Sequence, residues 1–361
     1  MAGQFIGSNR RTIILLLTLV ATLVIVDLIF LGFGALSIWR GNPFLLYYPS
    51  LFSGMTAEQI SAEARGSSTG WPLQRTVRRQ PSPEPKTCGA AIGGSFTFAD
   101  DVTDSEAWPS LLSKMIGCNV DNLGIDGFGL DQAVVYYQEA RRSDRFVIVG
   151  ITPAMFLMDG AASWTFYSSG PEHLPKVRMT KPFYLINPAG ELTYVRRPSQ
   201  QPSAIEAHHA HDLFRTMWTP LKPPFSLHVA YAIYHKWFVP RATDMNLADS
   251  VEPVVELRRL AWQILHQSFD NKRTEPKVVI LMIPTPEYSL NPVSDYSSYL
   301  NEIRSTLPTA CLIDPHPHLH EALKDHGLKA ARTSSGHYSA EGNAALASAV
   351  AAGLKICGIL Q

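Results

Sequence analysis

The sequence predicts an α/β protein: a three-layer parallel sheet with a large insertion, preceded by one N-terminal transmembrane helix. Three observations carry this reading. Past residue 86, short apolar runs of strand length alternate with stretches of helical periodicity, the pattern of a parallel sheet covered by helices. Between residues 160 and 275 a Pro- and aromatic-rich stretch breaks that alternation, which marks an insertion. From Thr12 to Ile38 the chain is almost wholly apolar, interrupted only by Asp27 and small polar residues.

Taken in order, residues 1–11 form a cytoplasmic tail and residues 12–38 the anchor, since a membrane-spanning helix needs about 20 residues. A cleavable signal peptide has an apolar core of only about 7–15 residues and a small-residue cleavage site. Here the run is longer, and Ala35-Leu36-Ser37-Ile38-Trp39-Arg40 is a poor site with no Cys for lipid attachment. Arg10 and Arg11 precede the span and only Arg40 closely follows it, which keeps the N-terminus in the cytoplasm and sends the remainder across. The expected location is the inner (cell) membrane, single-pass, with the domain facing the periplasm or the outside. Asp27 reads either as a contact to a second membrane helix or as a protonated or off-centre residue, and the second reading is preferred.

Residues 39–86 form a linker, with Gly66-Ser67-Ser68-Thr69-Gly70 and Pro81-Ser82-Pro83-Glu84-Pro85 as its turn-rich marks. The domain then occupies 87–361. Strands are expected at 88–92, 120–124, 146–150, 277–283 and 310–313, and helices at 106–115, 130–142 and 340–354. In the insertion 160–275, residues 183–195 read as a β-hairpin turning at Asn187-Pro188-Ala189-Gly190.

Composition narrows the function. Lysine plus arginine equals aspartate plus glutamate at 31 each, so no bulk charge draws the chain to nucleic acid. No Cys-x-x-Cys spacing points to metal or redox chemistry, and no cofactor is expected. His316, His318 and His320 alternate, but Pro315 and Pro317 interleave them, so they read as a solvated loop leading into a helix. His208, His209 and His211 receive the same reading, and the aromatics from Phe214 to Phe238 read as ordinary packing.

The chemistry-bearing pair is Ser95 with His337. Ser95 follows a small apolar strand, Cys88-Gly89-Ala90-Ala91-Ile92, and the turn Gly93-Gly94, which sets it at the carboxyl edge of the sheet where open α/β folds hold ligands. A serine hydroxyl becomes a nucleophile when a base takes its proton, and His337 can serve as that base.

Three segments resemble the SGNH (GDSL-type) hydrolases, in particular a membrane-anchored bacterial branch. Gly93-Gly94-Ser95-Phe96-Thr97-Phe98-Ala99-Asp100-Asp101 is similar to their first block and Asn122–Gln132 to their second. His337-Tyr338-Ser339-Ala340-Glu341-Gly342-Asn343 is similar to the last, which supplies the catalytic histidine. The resemblance covers roughly 86–159 and 276–355 and implies an SGNH/flavodoxin-like fold with Ser95 as nucleophile and His337 as general base. The implied oxyanion donors are the N–H of Ser95 and of Gly124 or Gly127, with the Thr152 hydroxyl as a substitute donor.

The chain departs from the family at three places. Gly94 stands where an Asp usually precedes the serine. The expected third-block Asn is absent from Ile151-Thr152-Pro153-Ala154-Met155-Phe156, and losing one oxyanion donor typically costs about 10²–10³ in rate. Ser334 and Ser335 occupy the positions where an Asp would orient the histidine, leaving a backbone carbonyl or Asp314 as orienter. Cys88 opens the first strand and Cys118 lies just before the second, and those two strands neighbour each other in the family's sheet. A bridge between them and two buried thiols both remain open, and with Cys311 and Cys357 the four cysteines form an even set.

Two functions follow. The first is an extracytoplasmic serine esterase or O-acyltransferase acting on an acylated envelope substrate, such as an acetylated polysaccharide, through a Ser95 acyl-enzyme. The second is a non-catalytic binding or assembly subunit of an envelope or exopolysaccharide system. The partners expected are an acyl ester or carbohydrate substrate, the membrane through the N-terminal helix, and an envelope protein.

Overall fold

The computed structural model describes residues 14, 17–29, 86–140, 142–166, 177–187, 189–196, 207, 252–269, 276–290 and 297–360. The chain divides into two compact units: Met1–Gly54 with Arg215–Ala242, and Met55–Phe214 with Thr243–Gln361. Of the first, residues 17–29 are helical and expose Leu17, Val20, Leu23, Val24 and Leu28. Among the described residues no helix is long and apolar enough to cross a membrane. The rest of the expected anchor, the linker up to residue 85, His208, His209, His211 and the aromatics of 214–238 lie outside the described residues.

In the second unit the elements run β1 (Thr87–Gly93), α1 (Ser95–Phe98), α2 (Trp108–Ile116), β2 (Asn119–Gly124), α3 (Leu130–Glu139), β3 (Phe146–Ile151) and α4 (Pro153–Asp159). Four short strands follow: β4 (Ser163–Phe166), β5 (Val177–Thr180), β6 (Phe183–Ile186) and β7 (Leu192–Val195). Then come α5 (Glu252–Phe269), β8 (Lys277–Met282), α6 (Pro286–Ser289), α7 (Ser297–Thr306), β9 (Cys311–Ile313), α8 (His316–Leu323), α9 (Leu328–Ala331) and α10 (Ala340–Ile356).

The main sheet has the order β2-β1-β3-β8-β9 with every pair parallel, as the alternation predicts. β1 is central, and its small residues answer that position. A Cβ on Gly89 would lie 2.4 Å from the Phe146 ring on the neighbouring strand. Strand alternation sends Phe146, Ile148, Val279, Leu281 and Ile313 to one face, under Trp108 and Leu112 of α2, Leu319 and Leu323 of α8, and Leu346, Val350 and Leu354 of α10. On the other helical layer, Trp262 of α5 meets Phe156 of α4 edge-on at 5.2 Å, and Phe156 stacks on Tyr299 of α7 at 6.0 Å. Each such buried aromatic contributes well beyond a single methylene's ~0.8 kcal/mol, which holds the layer to the sheet.

All five expected strands form, and the hairpin appears as the antiparallel pair β6–β7, with Gly190 at φ 83° in its turn. The boundary of the insertion is corrected. Its last part, α5, packs on α3 and α4 as the crossover helix between parallel strands β3 and β8, which such a connection requires. The expected loop at 316–320 is also corrected. These residues open α8, with Pro317 within the first turn where its missing N–H costs nothing. The three histidines take separate partners: His316 stacks on Tyr288 at 5.6 Å, His318 Nε2 lies 3.1 Å from Ser348 Oγ, and His320 Nδ1 lies 3.2 Å from the Ser289 carbonyl. The helix read at 130–142 ends at Glu139.

Both cysteine pairs are bridged, Cys88 to Cys118 and Cys311 to Cys357. The first ties the start of β1 to the approach of β2, and the second ties β9 to the end of α10. Closing loops of 30 and 46 residues contributes about 3–4 kcal/mol each in the chain-entropy account.

Candidate active site

The strand order reverses direction at β1, with β2 on one side and β3 on the other, and a crevice beyond the carboxyl ends at such a point is where open α/β sheets bind ligands. Ser95 and Thr152 both lie there. Gly93 pairs with Gly150, and each of the two residues stands two positions beyond its glycine. The Thr97 side chain drops onto these glycines, its Oγ1 only 2.3 and 2.2 Å from where their Cβ atoms would be, and Gly93 adopts φ 153°. That close approach is possible because both Gly93 and Gly150 lack a Cβ.

Ser95 opens the single turn α1. Thr97 and Phe98 donate to the Gly94 carbonyl, while Ala99 and Asp100 donate to the Ser95 carbonyl at 2.8 and 3.2 Å. The Ser95 N–H, first in the turn, bonds none of the described residues. Two supports brace this turn. Asn122 Nδ2 donates to the Phe98 carbonyl at 3.2 Å, and Trp108 Nε1 donates to the Phe96 carbonyl at 3.1 Å. The Trp108 N–H in turn reaches Asn343 Oδ1 at 3.2 Å, and Asn343 Nδ2 donates to the Tyr338 carbonyl at 3.0 Å. One chain of bonds therefore links the serine turn to the segment bearing His337.

The loop 333–337 is pinned from its far side. Tyr338 is buried, and its hydroxyl donates to the Pro284 carbonyl at 2.8 Å and pairs with Ser289 Oγ at 2.5 Å. Phe96, the neighbour of Ser95, meets the His337 ring at 5.0 Å. No hydrogen bond joins Ser95 Oγ to His337 in this structure. Catalytic bonds of empty sites often tighten only with substrate present.

A carboxylate cluster surrounds the histidine. His337 Nδ1 lies 2.9 Å from Ser335 Oγ, 3.4 Å from Asp101 Oδ2 and 4.0 Å from Asp100 Oδ2. Ser335 donates a short hydrogen bond to Asp101, and Thr333 Oγ1 donates to the same oxygen at 2.8 Å. Burial pushes Asp101 up, but the bonds from Ser335 and Thr333 and the nearby His337 outweigh it and hold its carboxyl below the ordinary value. Burial, then the charge of Asp100, pushes Asp126 up to about 7, against the opposing Gly127 N–H bond. Asp100, Asp101 and His337 offer ligand atoms within 4.8 Å of one another. Both hydroxyl bonds made to Asp101 go to its Oδ2.

Asp126 supplies a pH test. Its folded value, about 7, stands above the ordinary 3.8, so the folded chain holds that proton more tightly than the unfolded one. The associated stability is full below about pH 4 and is lost as pH rises through 7. Asp126→Asn is expected to match the wild type near pH 4 and to exceed it above pH 7, by at most about 4 kcal/mol. Urea unfolding at the two pH values checks this, and equal midpoint shifts at both would contradict it.

The expected oxyanion donors separate. The Ser95 N–H is unengaged among the described residues. Gly124 is corrected: its N–H is taken by Asn122 Oδ1 at 3.0 Å, and its missing Cβ leaves room for the α1 backbone, with Phe98 N only 2.3 Å from that position. Gly127 N–H is held by the Asp126 carboxylate. Thr152 is buried at the N-cap of α4, with its hydroxyl unused as a cap. Asp314 is also corrected as an orienter, because its Oδ1 accepts the His316 N–H at 3.0 Å at the start of α8. Gly94 has a steric reason: a Cβ there would lie 2.9 Å from the Phe128 carbonyl, so the family's Asp does not fit. Sequence reasoning missed the Asp101 carboxylate and the Trp108–Asn343 link. The family resemblance of Asp101's own segment gave no reason to pair it with a residue 236 positions later.

No family model matches the sequence, and no curated protein matches it. Among solved structures, the chain is similar to a member of the lipolytic protein G-D-S-L family from Veillonella parvula, at 10% identity and a TM-score of 0.37, over 73% of this chain and 96% of that one. It is similar to TesA at 12% identity and a TM-score of 0.37, over 75% and 99%. It is also similar to the acetyl xylan esterase Est2A from the rumen bacterium Butyrivibrio proteoclasticus, at 10% identity and a TM-score of 0.30, over 76% and 64%.

Proposed function

We propose that this chain is a serine hydrolase or acyltransferase acting on ester bonds, with Ser95 as nucleophile and His337 as base. The observation that carries this is the bonded link Phe96–Trp108–Asn343–Tyr338, which holds the serine turn and the histidine loop at one sheet edge across 242 residues of sequence. His337 Nε2 takes the proton from Ser95 Oγ as that oxygen attacks the ester carbonyl carbon. The oxyanion that forms is met by the Ser95 N–H, with the Thr152 hydroxyl as the second donor of this reading. When the C–O bond breaks, His337 returns the proton to the departing alcohol, leaving an acyl-Ser95. Water or a sugar hydroxyl then attacks the acyl carbon by the same proton path in reverse.

The setting proposed is an anchored protein facing the periplasm or outside. The apolar run Thr12–Ile38 supports the anchor, and two disulfides support an oxidising compartment. The substrate proposed is an acylated envelope carbohydrate, with an envelope protein as neighbour. A second reading, a non-catalytic binding subunit, is favoured by one observation: the N–H groups of Gly124 and Gly127 are both engaged by side chains.

Incubating the full chain with p-nitrophenyl acetate, alone and with an oligosaccharide acceptor, separates the readings. The hydrolase or transferase reading expects nitrophenol release above the buffer rate, and acetylated sugar if transfer dominates. Oligosaccharide binding with no turnover supports the subunit instead.

A further inference from the structure

The geometry points to Asp101 as the carboxylate that orients His337, acting through Ser335 in place of the acid absent from positions 334 and 335. This positioning role rests on the assignment of Ser95 and His337 as nucleophile and base. Three observations carry it. The Ser335 hydroxyl donates its proton to Asp101, so its oxygen is left to accept from His337 Nδ1 at 2.9 Å. Asp101 Oδ2 itself stands 3.4 Å from Nδ1, within range of direct charge attraction. The same oxygen accepts from Thr333 Oγ1 at 2.8 Å, while the Thr333 N–H holds the His337 carbonyl at 2.9 Å, so carboxylate and histidine are clamped by one residue.

The backbone agrees. After α1 the chain turns through Ala99 at φ 61° and Asp101 at φ 69°, left-handed conformations that non-glycine residues rarely adopt and that Asp tolerates better than most. The turn brings the Asp101 carboxylate, still partly exposed, against Thr333 and Ser335 of the loop 333–337. Asp100 is farther, at 4.0 Å, and Asp314 accepts the His316 N–H at the start of α8.

The proton accounting closes. With Nδ1–H donated to Ser335, Nε2 carries the lone pair that accepts the Ser95 proton. The resulting imidazolium keeps both N–H groups, and Asp101 stays ionised, stabilising the positive charge without taking a proton. Ser335 alone provides the hydrogen bond but no charge. An acid two residues before the histidine has in effect been replaced by a serine that passes the bond to an acid on the opposite loop.

The test compares four forms of the full chain in p-nitrophenyl acetate hydrolysis across pH: wild type, Asp101→Asn, Asp101→Asn with Ser335→Asp, and Asp101→Glu. Circular dichroism and urea midpoints are read alongside. Asp101→Asn is expected to lower kcat by about 10²–10⁴-fold with little change in KM, and to move the acid limb of the kcat/KM profile to lower pH, because the imidazolium loses its counter-charge. Adding Ser335→Asp is expected to recover at least tenfold and to move the acid limb back. Asp101→Glu keeps the charge and is expected to stay well above the Asn variant, which distinguishes lost charge from lost folding. Asp101→Asn within twofold of the wild type, with the acid limb unmoved, overturns the role of Asp101 and leaves Ser95 and His337 standing. A folded wild type that releases no nitrophenol overturns the underlying assignment, and the role of Asp101 with it.

Discussion

Ser95→Ala and His337→Ala are each expected to lower kcat for ester cleavage by about 10³–10⁶-fold, and the double variant is expected to lose little more than the worse single one. The non-additivity is the informative part. Without His337 the Ser95 proton has no acceptor, and without Ser95 the histidine has no nucleophile to activate, so either loss removes the same step. Both changes leave the fold's supports in place. Ser95 contributes its carbonyl, not its hydroxyl, to the bonds of α1, and the histidine loop keeps the Tyr338 bonds to Pro284 and Ser289. Unchanged urea midpoints with lost turnover are therefore expected. Additive losses across the double variant would mean that the two residues act in separate steps.

The second large effect is on stability, away from the site. Lys181 is fully buried, with its Nζ on the Asp131 carboxylate and donating to the Pro182 carbonyl at 3.3 Å. Asp131 opens α3, and its N–H donates to Asp159 Oδ1 at 3.2 Å. Burial pushes Asp131 up to about 6 against the pull of Lys181, and burial with the charge of Asp131 pushes Asp159 up further. Lys181→Met leaves these two buried carboxyls without their cation and is expected to cost about 3–5 kcal/mol. The folded Asp131 then holds its proton more tightly still, so the penalty shrinks as pH falls toward 5 and Asp131 neutralises. Adding Asp131→Asn is expected to restore most of the loss at pH 8, read as the urea midpoint. A Lys181→Met midpoint equal to the wild type would show that the ion pair contributes nothing net.

Much of this was legible in the sequence because β1, β3 and β8 are short, largely apolar runs buried between layers, and burial on both faces leaves an unmistakable composition. The Asn187–Gly190 hairpin was legible because a turn needing φ above zero advertises its glycine. The α5 crossover was hidden by its surroundings: an amphipathic helix at the end of a Pro-rich, aromatic stretch reads as more insertion. α8 was hidden by its prolines, which mark a loop anywhere but in a helix's first turn. Ser95 and His337 stood out as candidates because their flanking residues form local motifs. Asp101, Lys181 and the Trp108–Asn343 bond did not, since each depends on a partner brought close only by the sheet. The cysteines showed an even count, but their pairing needed the proximity of β1 to β2 and of β9 to α10.

The most direct test of the central claim is covalent capture of the nucleophile. The full chain is treated with a fluorophosphonate, digested, and the modified peptide sequenced by mass spectrometry. A Ser–His pair at this sheet edge predicts a single phosphonylated serine, Ser95, with labelling lost in His337→Ala. A folded chain that stays unlabelled, or one labelled at a different serine, contradicts it.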